Sequence, residues 1–201
     1  MKRLGILLSG RGSNFEAIAD QVTGGGIEAE IAVVIANRPS AQGLETARQR
    51  GLNAVLLPSL GMERVAYDHR LIDELNRNSV DLVCLAGFTR LLSADFVRAF
   101  PQRVLNIHPS LLPAFPGLDA QRQALEHGVK FSGCTVHFVD EMLDAGPIVE
   151  QAVVPVLDGD TVETLSARIL AQEHRIYSDA LRLVLSGAYR IEGRRVVRTA
   201  G

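Results

Sequence analysis

Asn106 and His108 are the residues of this sequence best placed to do chemistry. They close a short apolar run, residues 104–107, that reads as a strand. Along a strand, residues i and i+2 point to one face, so Asn106 and His108 share a side and Ile107 takes the other. Pro109 then stops the strand. An Asn amide can donate a hydrogen bond to a developing oxyanion, and an imidazole can shuttle a proton near neutral pH. An isolated pair of this kind is more often structural, a buried His held by backbone beside an Asn in a turn. A carboxylate partner would reverse that weighting. The loop 140–147 supplies Asp140, Glu141 and Asp144. One of these acids beside His108 would favour the imidazolium and orient the ring. The alternative is a solvated acidic turn.

Ser9-Gly10-Arg11-Gly12-Ser13-Asn14 forms a second candidate, between the first apolar run and the first helical pattern. Glycines let the backbone turn tightly and approach a ligand. A helix N-terminus behind them offers amide N–H groups and a partial positive charge, which suits a phosphate. This is not a P-loop, because no Gly-Lys-Ser/Thr follows. A dinucleotide fingerprint needs a third small residue where Phe15 stands, and an acid at the end of the second strand where Asn37-Arg38 stands. The segment is therefore either a phosphate site or a plain tight turn with Ser13 as N-cap.

Other chemistries fit poorly. No His-Glu-x-x-His or Cys-x-x-Cys spacing suggests a metal, and His137, Asp140 and Asp144 form only a remote ligand set. Ser110 is not in a Gly-x-Ser-x-Gly elbow. With no obvious protein nucleophile, the attacking group belongs to a substrate, which points to direct group transfer through a tetrahedral intermediate. Glu173 stands four residues after Ile169 on the apolar stripe of a long helical pattern. An acid there is either salt-bridged to an Arg, the commoner case, or touches a ligand.

The elements that must position these residues are legible as a pattern. Continuous apolar runs at 4–8, 31–36, 54–57, 82–86 and 104–107 predict strands buried on both faces of a parallel sheet. Helical patterns at 14–22, 41–49, 63–75 and 94–99 alternate with them. The expected fold is α/β, an open, mostly parallel twisted sheet with helices on both faces and right-handed crossovers. After residue 107 the pattern changes. Pro109, Pro113, Pro116 and Gly117 predict a stiff loop. A helix over 119–126 and alternating runs at 134–139 and 148–156 predict an antiparallel extension. A long helix follows over 162–185, with Asp160 and Glu163 in capping-box spacing, and a basic hairpin turns around Gly193.

Composition removes several classes. The chain has 201 residues, and 21 basic against 23 acidic side chains give a net charge of −2. That balance argues against nucleic acid as a partner, as do 5% aromatics and no Trp, which leave few stacking platforms. Cys84 and Cys134 sit in apolar runs and read as buried thiols in a reducing, cytoplasmic setting. No apolar run approaches the roughly 18 residues of a membrane span. The five apolar residues after Met1-Lys2-Arg3 are too few for a signal peptide.

Taken with their neighbours, these motifs carry a resemblance. Residues 8–14, Leu85-Ala86-Gly87-Phe88-Thr89-Arg90-Leu91-Leu92, Asn106-Ile107-His108-Pro109-Ser110-Leu111-Leu112-Pro113 and residues 140–147 together resemble the phosphoribosylglycinamide formyltransferases, over nearly the whole chain and in order. The Asn-x-His-Pro-Ser-Leu-Leu-Pro segment is highly specific to folate-dependent formyl transfer.

The resemblance implies a Rossmann-like formyltransferase fold. It implies transfer of the formyl group of 10-formyltetrahydrofolate to the amine of glycinamide ribonucleotide, in purine biosynthesis and without a metal. It implies that His108 handles the proton, Asn106 stabilises the oxyanion and also lines the donor site, and Asp144 holds His108 protonated. Backbone groups of Gly12, Ser13 and Asn14 would hold the substrate phosphate, and Glu173 would contact the glycinamide or ribose part. Arg64, Thr89, Arg90, Leu91 and Leu92 would line the folate pocket, with Asp140 and Leu143 on its loop side.

Residues 1–201 are then expected to be one catalytic domain, its first half binding the phosphate and nucleotide, its second half the folate and the chemistry. The length fits such a domain standing alone, without the regulatory domain of the related deformylases, as a monomer or homodimer. Arg11, Thr89 and Leu118-Asp119-Ala120 depart from the family's usual residues. Formyltetrahydrofolate hydrolysis, a non-catalytic nucleotide-binding module and a nicotinamide oxidoreductase are the rival readings, the last already weakened by Phe15 and Asn37.

Overall fold

The computed structural model describes residues 1–199. The chain divides into two compact units, Met1–Asn106 and Ile107–Gly201. The first contains β1 (Lys2–Leu8), α1 (Ser13–Thr23), β2 (Ala29–Ala36), α2 (Gln42–Gln49), β3 (Ala54–Leu56), α3 (Arg64–Arg77), β4 (Leu82–Leu85) and α4 (Ala94–Ala99). It ends within β5 (Val104–His108). Its strands run in the order β3-β2-β1-β4-β5, all parallel.

The strand order reverses between β1 and β4, so right-handed crossovers send α1 and α2 to one face and α3 and α4 to the other. The packing agrees, with α1 against α2 and α3 against α4. Helices on both sides explain why β1 and β2 read as continuous apolar runs. Leu4, Ile6, Leu7 and Leu8 of β1 and Val33, Val34, Ile35 and Ala36 of β2 are fully buried. The carboxyl ends of β1 and β4 sit at the point where the order reverses, the place where open α/β sheets bind ligands.

The second unit contains α5 (Ala120–His127), β6 (Phe131–Phe138), β7 (Ile148–Pro155), α6 (Val162–Ser186), β8 (Tyr189–Glu192) and β9 (Arg195–Arg198). β6 and β7 are antiparallel, as are β8 and β9, and β9 adds to β7. The antiparallel extension and the terminal hairpin are thus as expected. β7 alternates buried and exposed residues along its second half. β6 does not, being buried from Ser132 to Phe138. The reason is that α6 packs on β6, and the other face is covered by the segment after β5, where the Leu112 amide donates to Thr135 Oγ1 at 3.1 Å.

Two helix starts differ from expectation. α1 begins at Ser13, and its N-cap is Gly12 with φ 82°. The capping box of α6 is Thr161 with Thr164, one residue later than the Asp160 and Glu163 pair. Asp160 instead grips Arg168 with both carboxylate oxygens, at 2.8 and 2.9 Å.

Candidate active site

His108 is the last residue of β5, and its side chain is only 6% exposed. The loop that Pro109 starts folds back over the ring. His108 Nε2 lies 2.8 Å from the Phe115 carbonyl oxygen. His108 Nδ1 lies 3.4 Å from Asp144 Oδ2. Both ring nitrogens therefore face acceptors.

Asp144 is the centre of this cluster. Its side chain is 9% exposed and its backbone is left-handed, with φ 49°. Its Oδ2 also accepts the Gly117 amide at 2.8 Å. Its Oδ1 faces His137 Nε2 at 3.8 Å. The turn that brings Asp144 here depends on Gly146, where any Cβ would overlap the Phe138 carbonyl. The carboxylate thus lies between two imidazoles. Burial pushes the His137 ring below the usual histidine range, and the charge of His108 adds to that, while the Phe138 carbonyl and Asp144 pull it back up. The His137 Nδ1 donates to the Phe138 carbonyl at 2.9 Å.

A polar frame holds the loop over His108. Thr135 Oγ1 donates to the Ser110 carbonyl at 2.7 Å and accepts from the Leu112 amide and from Gln151 Nε2. Gln151 Nε2 also reaches the Leu112 carbonyl at 3.0 Å. Ser110 Oγ donates to the Ala114 carbonyl at 2.5 Å. Ser110 is thereby a brace and not a nucleophile. Thr135, Gln151 and the positioning side of His137 were missed from the sequence. A signal existed, since Thr135 and His137 are i and i+2 on the run at 134–139 that reads as a strand.

The other expected residues are distributed over the two units. In the first, Gly12 lets β1 turn into α1, and a Cβ there would come within 2.8 Å of Gly43 Cα. No side chain among the described residues caps α1, and the first intrahelical bond runs from the Glu16 amide to the Gly12 carbonyl. Ser13 and Asn14 open the helix behind the exposed Gly10 and Arg11. The loop is tied to the one after β4, because the Ser9 amide donates to the Gly87 carbonyl and the Thr89 amide to Ser9 Oγ, both at 3.0 Å.

Thr89 is exposed and accepts from Arg38 Nη2 at 3.2 Å. Arg90 is half-buried, Leu91 is 54% exposed, and Leu92 is half-buried. Arg64 is exposed at the first position of α3. Asn106 is half-buried, two residues before His108 on β5.

In the second unit, Asp140 accepts the Met142 amide at 2.9 Å, and Leu143 is exposed. Glu173 is buried on α6, and its charge, with burial the larger cause, pushes the Cys134 thiol up to about 12. Among the described residues no group of three or more His, Cys, Asp or Glu side chains is arranged to hold a metal ion. None of the described helices is long and apolar enough to cross a membrane.

Residues 2–181 match the family described as "Formyl transferase". The chain is 47% identical over 173 residues to the phosphoribosylglycinamide formyltransferase of Escherichia coli K12, covering 86% of this chain and 82% of that protein. It is also 47% identical over 190 residues to the trifunctional purine biosynthetic protein adenosine-3 of Bos taurus. That match takes in 94% of this chain but only 19% of the bovine protein, so the chain spans about a fifth of that relative. Among solved structures, glycinamide ribonucleotide transformylase 1 of Symbiobacterium toebii superposes with a TM-score of 0.97 at 56% identity, covering 100% of this chain and 95% of that one. The parallel sheet of the first unit, the antiparallel strands and His108–Asp144 pair of the second, and this extent of identity lead to one conclusion: the chain belongs to the formyl transferase family.

Proposed function

We propose that this chain transfers the formyl group of 10-formyltetrahydrofolate to the amine of glycinamide ribonucleotide, giving formylglycinamide ribonucleotide and tetrahydrofolate in purine biosynthesis. The observation that carries this reading is His108 held between two acceptors, one of them the buried Asp144 carboxylate. A formyl carbon under attack by a neutral amine puts negative charge on its oxygen and positive charge on the amine nitrogen. A doubly protonated imidazole meets the first need.

In the reaction, the amine lone pair forms the new C–N bond and the C=O electrons move to oxygen. The Asn106 amide and the His108 N–H stabilise that oxyanion. The intermediate then collapses, the bond from carbon to folate N10 breaks, N10 takes up a proton and the amine loses one. Donation from His108 Nε2 exchanges the Phe115 carbonyl for the substrate. Asp144 keeps the ring charged and oriented while this happens. Neutral His137 beside the same carboxylate leaves its charge directed at His108.

For binding, the backbone of Gly12, Ser13 and Asn14 at the start of α1 takes the phosphate of the ribonucleotide, and Glu173 contacts its glycinamide or ribose part. Arg64, residues 89–92, Asn106, Asp140 and Leu143 line the donor site. Residues 1–201 act together as one catalytic domain on two small molecules, in the cytoplasm, where two buried thiols stay reduced.

The test is to incubate the protein with 10-formyltetrahydrofolate, with and without glycinamide ribonucleotide, and follow tetrahydrofolate release. Turnover that requires the ribonucleotide supports the reading. Equal turnover without it makes the protein a hydrolase, and absence of turnover and of binding removes both.

A further inference from the structure

Arg90 was expected to line the donor pocket, and a cation there would naturally be assigned to a carboxylate of the donor. Its guanidinium is committed elsewhere. Nη1 donates to the Ser59 carbonyl at 3.2 Å and Nη2 to the Met62 carbonyl at 2.8 Å. These two carbonyls sit at the two ends of one tight turn, 59–62, closed by the Met62 amide on Ser59. The flat face of the guanidinium lies over the Tyr67 ring at 4.9 Å, and Tyr67 is itself fully buried and tied by its hydroxyl to the Leu57 carbonyl at 3.0 Å. The Nε–H is buried with no acceptor among the described residues. A guanidinium that turns its N–H groups inward and leaves one unmatched is being used for geometry, since an exposed pose would satisfy all five.

A second tie holds the far end of the same segment. Asp68, one residue after Tyr67 on α3, is fully buried, and its Oδ2 accepts the Ser93 amide at 2.5 Å. Residues 90–93 are therefore held at both ends against the start of α3. Between the ties stand Leu91 and Leu92, with Leu91 54% exposed. The same turn 59–62 leads directly into Glu63, which caps α3 by accepting the Ala66 amide, and into the exposed Arg64.

We infer that Arg90 and Asp68 are positioning residues for the formyl donor, setting the Leu91–Leu92 wall and the root of Arg64 through side chains that do not contact the donor. This rests on the proposed formyl transfer. It separates the two arginines expected in the donor site, with Arg64 left as the one available to a ligand and Arg90 acting through the backbone it clamps. A lysine at position 90 keeps the charge but cannot span two carbonyls and stack on a ring at once.

The experiment compares the wild type with Arg90→Lys and Asp68→Asn. It uses two donors, 10-formyltetrahydrofolate and the same compound without its glutamate, and a fluorescence titration of each donor alongside turnover. A positioning role predicts that Arg90→Lys raises the KM and Kd of both donors, about tenfold for the donor without glutamate and by at least that for the glutamate-bearing one. The kcat stays within about twofold and the KM for glycinamide ribonucleotide is unchanged, as expected for lost binding alone. Asp68→Asn produces the same pattern with a smaller factor. A loss confined to the glutamate-bearing donor would show that Arg90 does not set the Leu91–Leu92 wall and would overturn the inference. So would an unchanged donor KM, a fall in kcat at unchanged KM, or loss of the folded circular dichroism spectrum in both variants. Wild type that neither binds nor turns over the donors would count against the proposed reaction itself, which the wild-type arm reads separately.

Discussion

The start of α1 and the start of α6 are two helix N-termini treated in opposite ways. α6 is closed off. Thr161 and Thr164 cap each other's backbone, Asp160 accepts the Leu157 amide, and its carboxylate also grips Arg168. α1 starts on a left-handed glycine, and no side chain among the described residues caps it. Every helix leaves amides ahead of its first internal bond. α6 fills them from its own side chains, and on the proposed function α1 leaves them for a ligand. The chemistry of the second unit follows yet another rule. His108, Asp144 and His137 are buried side chains, with both rings within 3.8 Å of the Asp144 carboxylate, whereas the glycine loop offers backbone. On the proposed function, side chains do the proton work and backbone does the holding.

The largest expected break of this comparison is at the side chains. His108→Ala should lower kcat by about 10²–10⁴-fold with the fold retained, as loss of a general acid does. Asp144→Asn should lower kcat by about 10² or more, because the ring loses its charge partner. Steady-state kinetics with circular dichroism checks both, and a wild-type rate in either variant removes its assigned role.

A change of backbone should act on binding instead. Gly12→Val adds a side chain at φ 82° and within 2.8 Å of Gly43 Cα. The KM for glycinamide ribonucleotide should rise about tenfold or more, the scale of a lost hydrogen bond to a charged group, while the donor KM moves less. Equal effects on both substrates would mean that the loop is only structural.

The two histidines can be separated by pH. Burial holds the folded His137 below the unfolded histidine value of about 6.5. As pH falls through 6.5 the unfolded chain takes up a proton that folded His137 refuses, so this residue makes stability fall with acidification and adds no slope above that pH. Urea midpoints between pH 5 and 7 should show a shallower fall in His137→Asn than in the wild type.

The smallest effect lies at the closed helix start. Arg168 holds the Asp160 carboxyl far below the usual carboxylate range, with the Leu157 amide second. A depressed acid contributes above its unfolded value of about 3.9, and the contribution is lost as pH falls through the folded value. Asp160→Asn should therefore lower the melting temperature slightly at pH 7 and reduce the acid sensitivity below pH 4. The phosphate-bearing substrate should bind as before.

Much of the architecture was readable because burial on two faces leaves a plain mark. The runs at 4–8 and 31–36 had to be interior strands, and β1 and β2 extend those same runs. Asn106 and His108 were readable because a strand puts i and i+2 on one side. β6 was less so, since its outer face is covered by the segment around Leu112, and nothing in the local alternation announces a covering loop. The capping residue of α6 was missed by one position because Asp160 satisfies the same local pattern, and only Arg168, two turns along the helix, draws it away.

The sequence by itself determined the order of strands and helices, the glycine turn at the head of α1 and the placing of an Asn and a His at a strand end. These depend on residue size, φ preference and the two-residue strand period, all of which act over a few neighbours. Tertiary structure alone decided that His137 shares the Asp144 carboxylate with His108, and that Arg90 spends its charge on two carbonyls. Those outcomes rest on distances between segments far apart in the chain, and a contact between them follows from how whole elements pack, which no local spacing encodes.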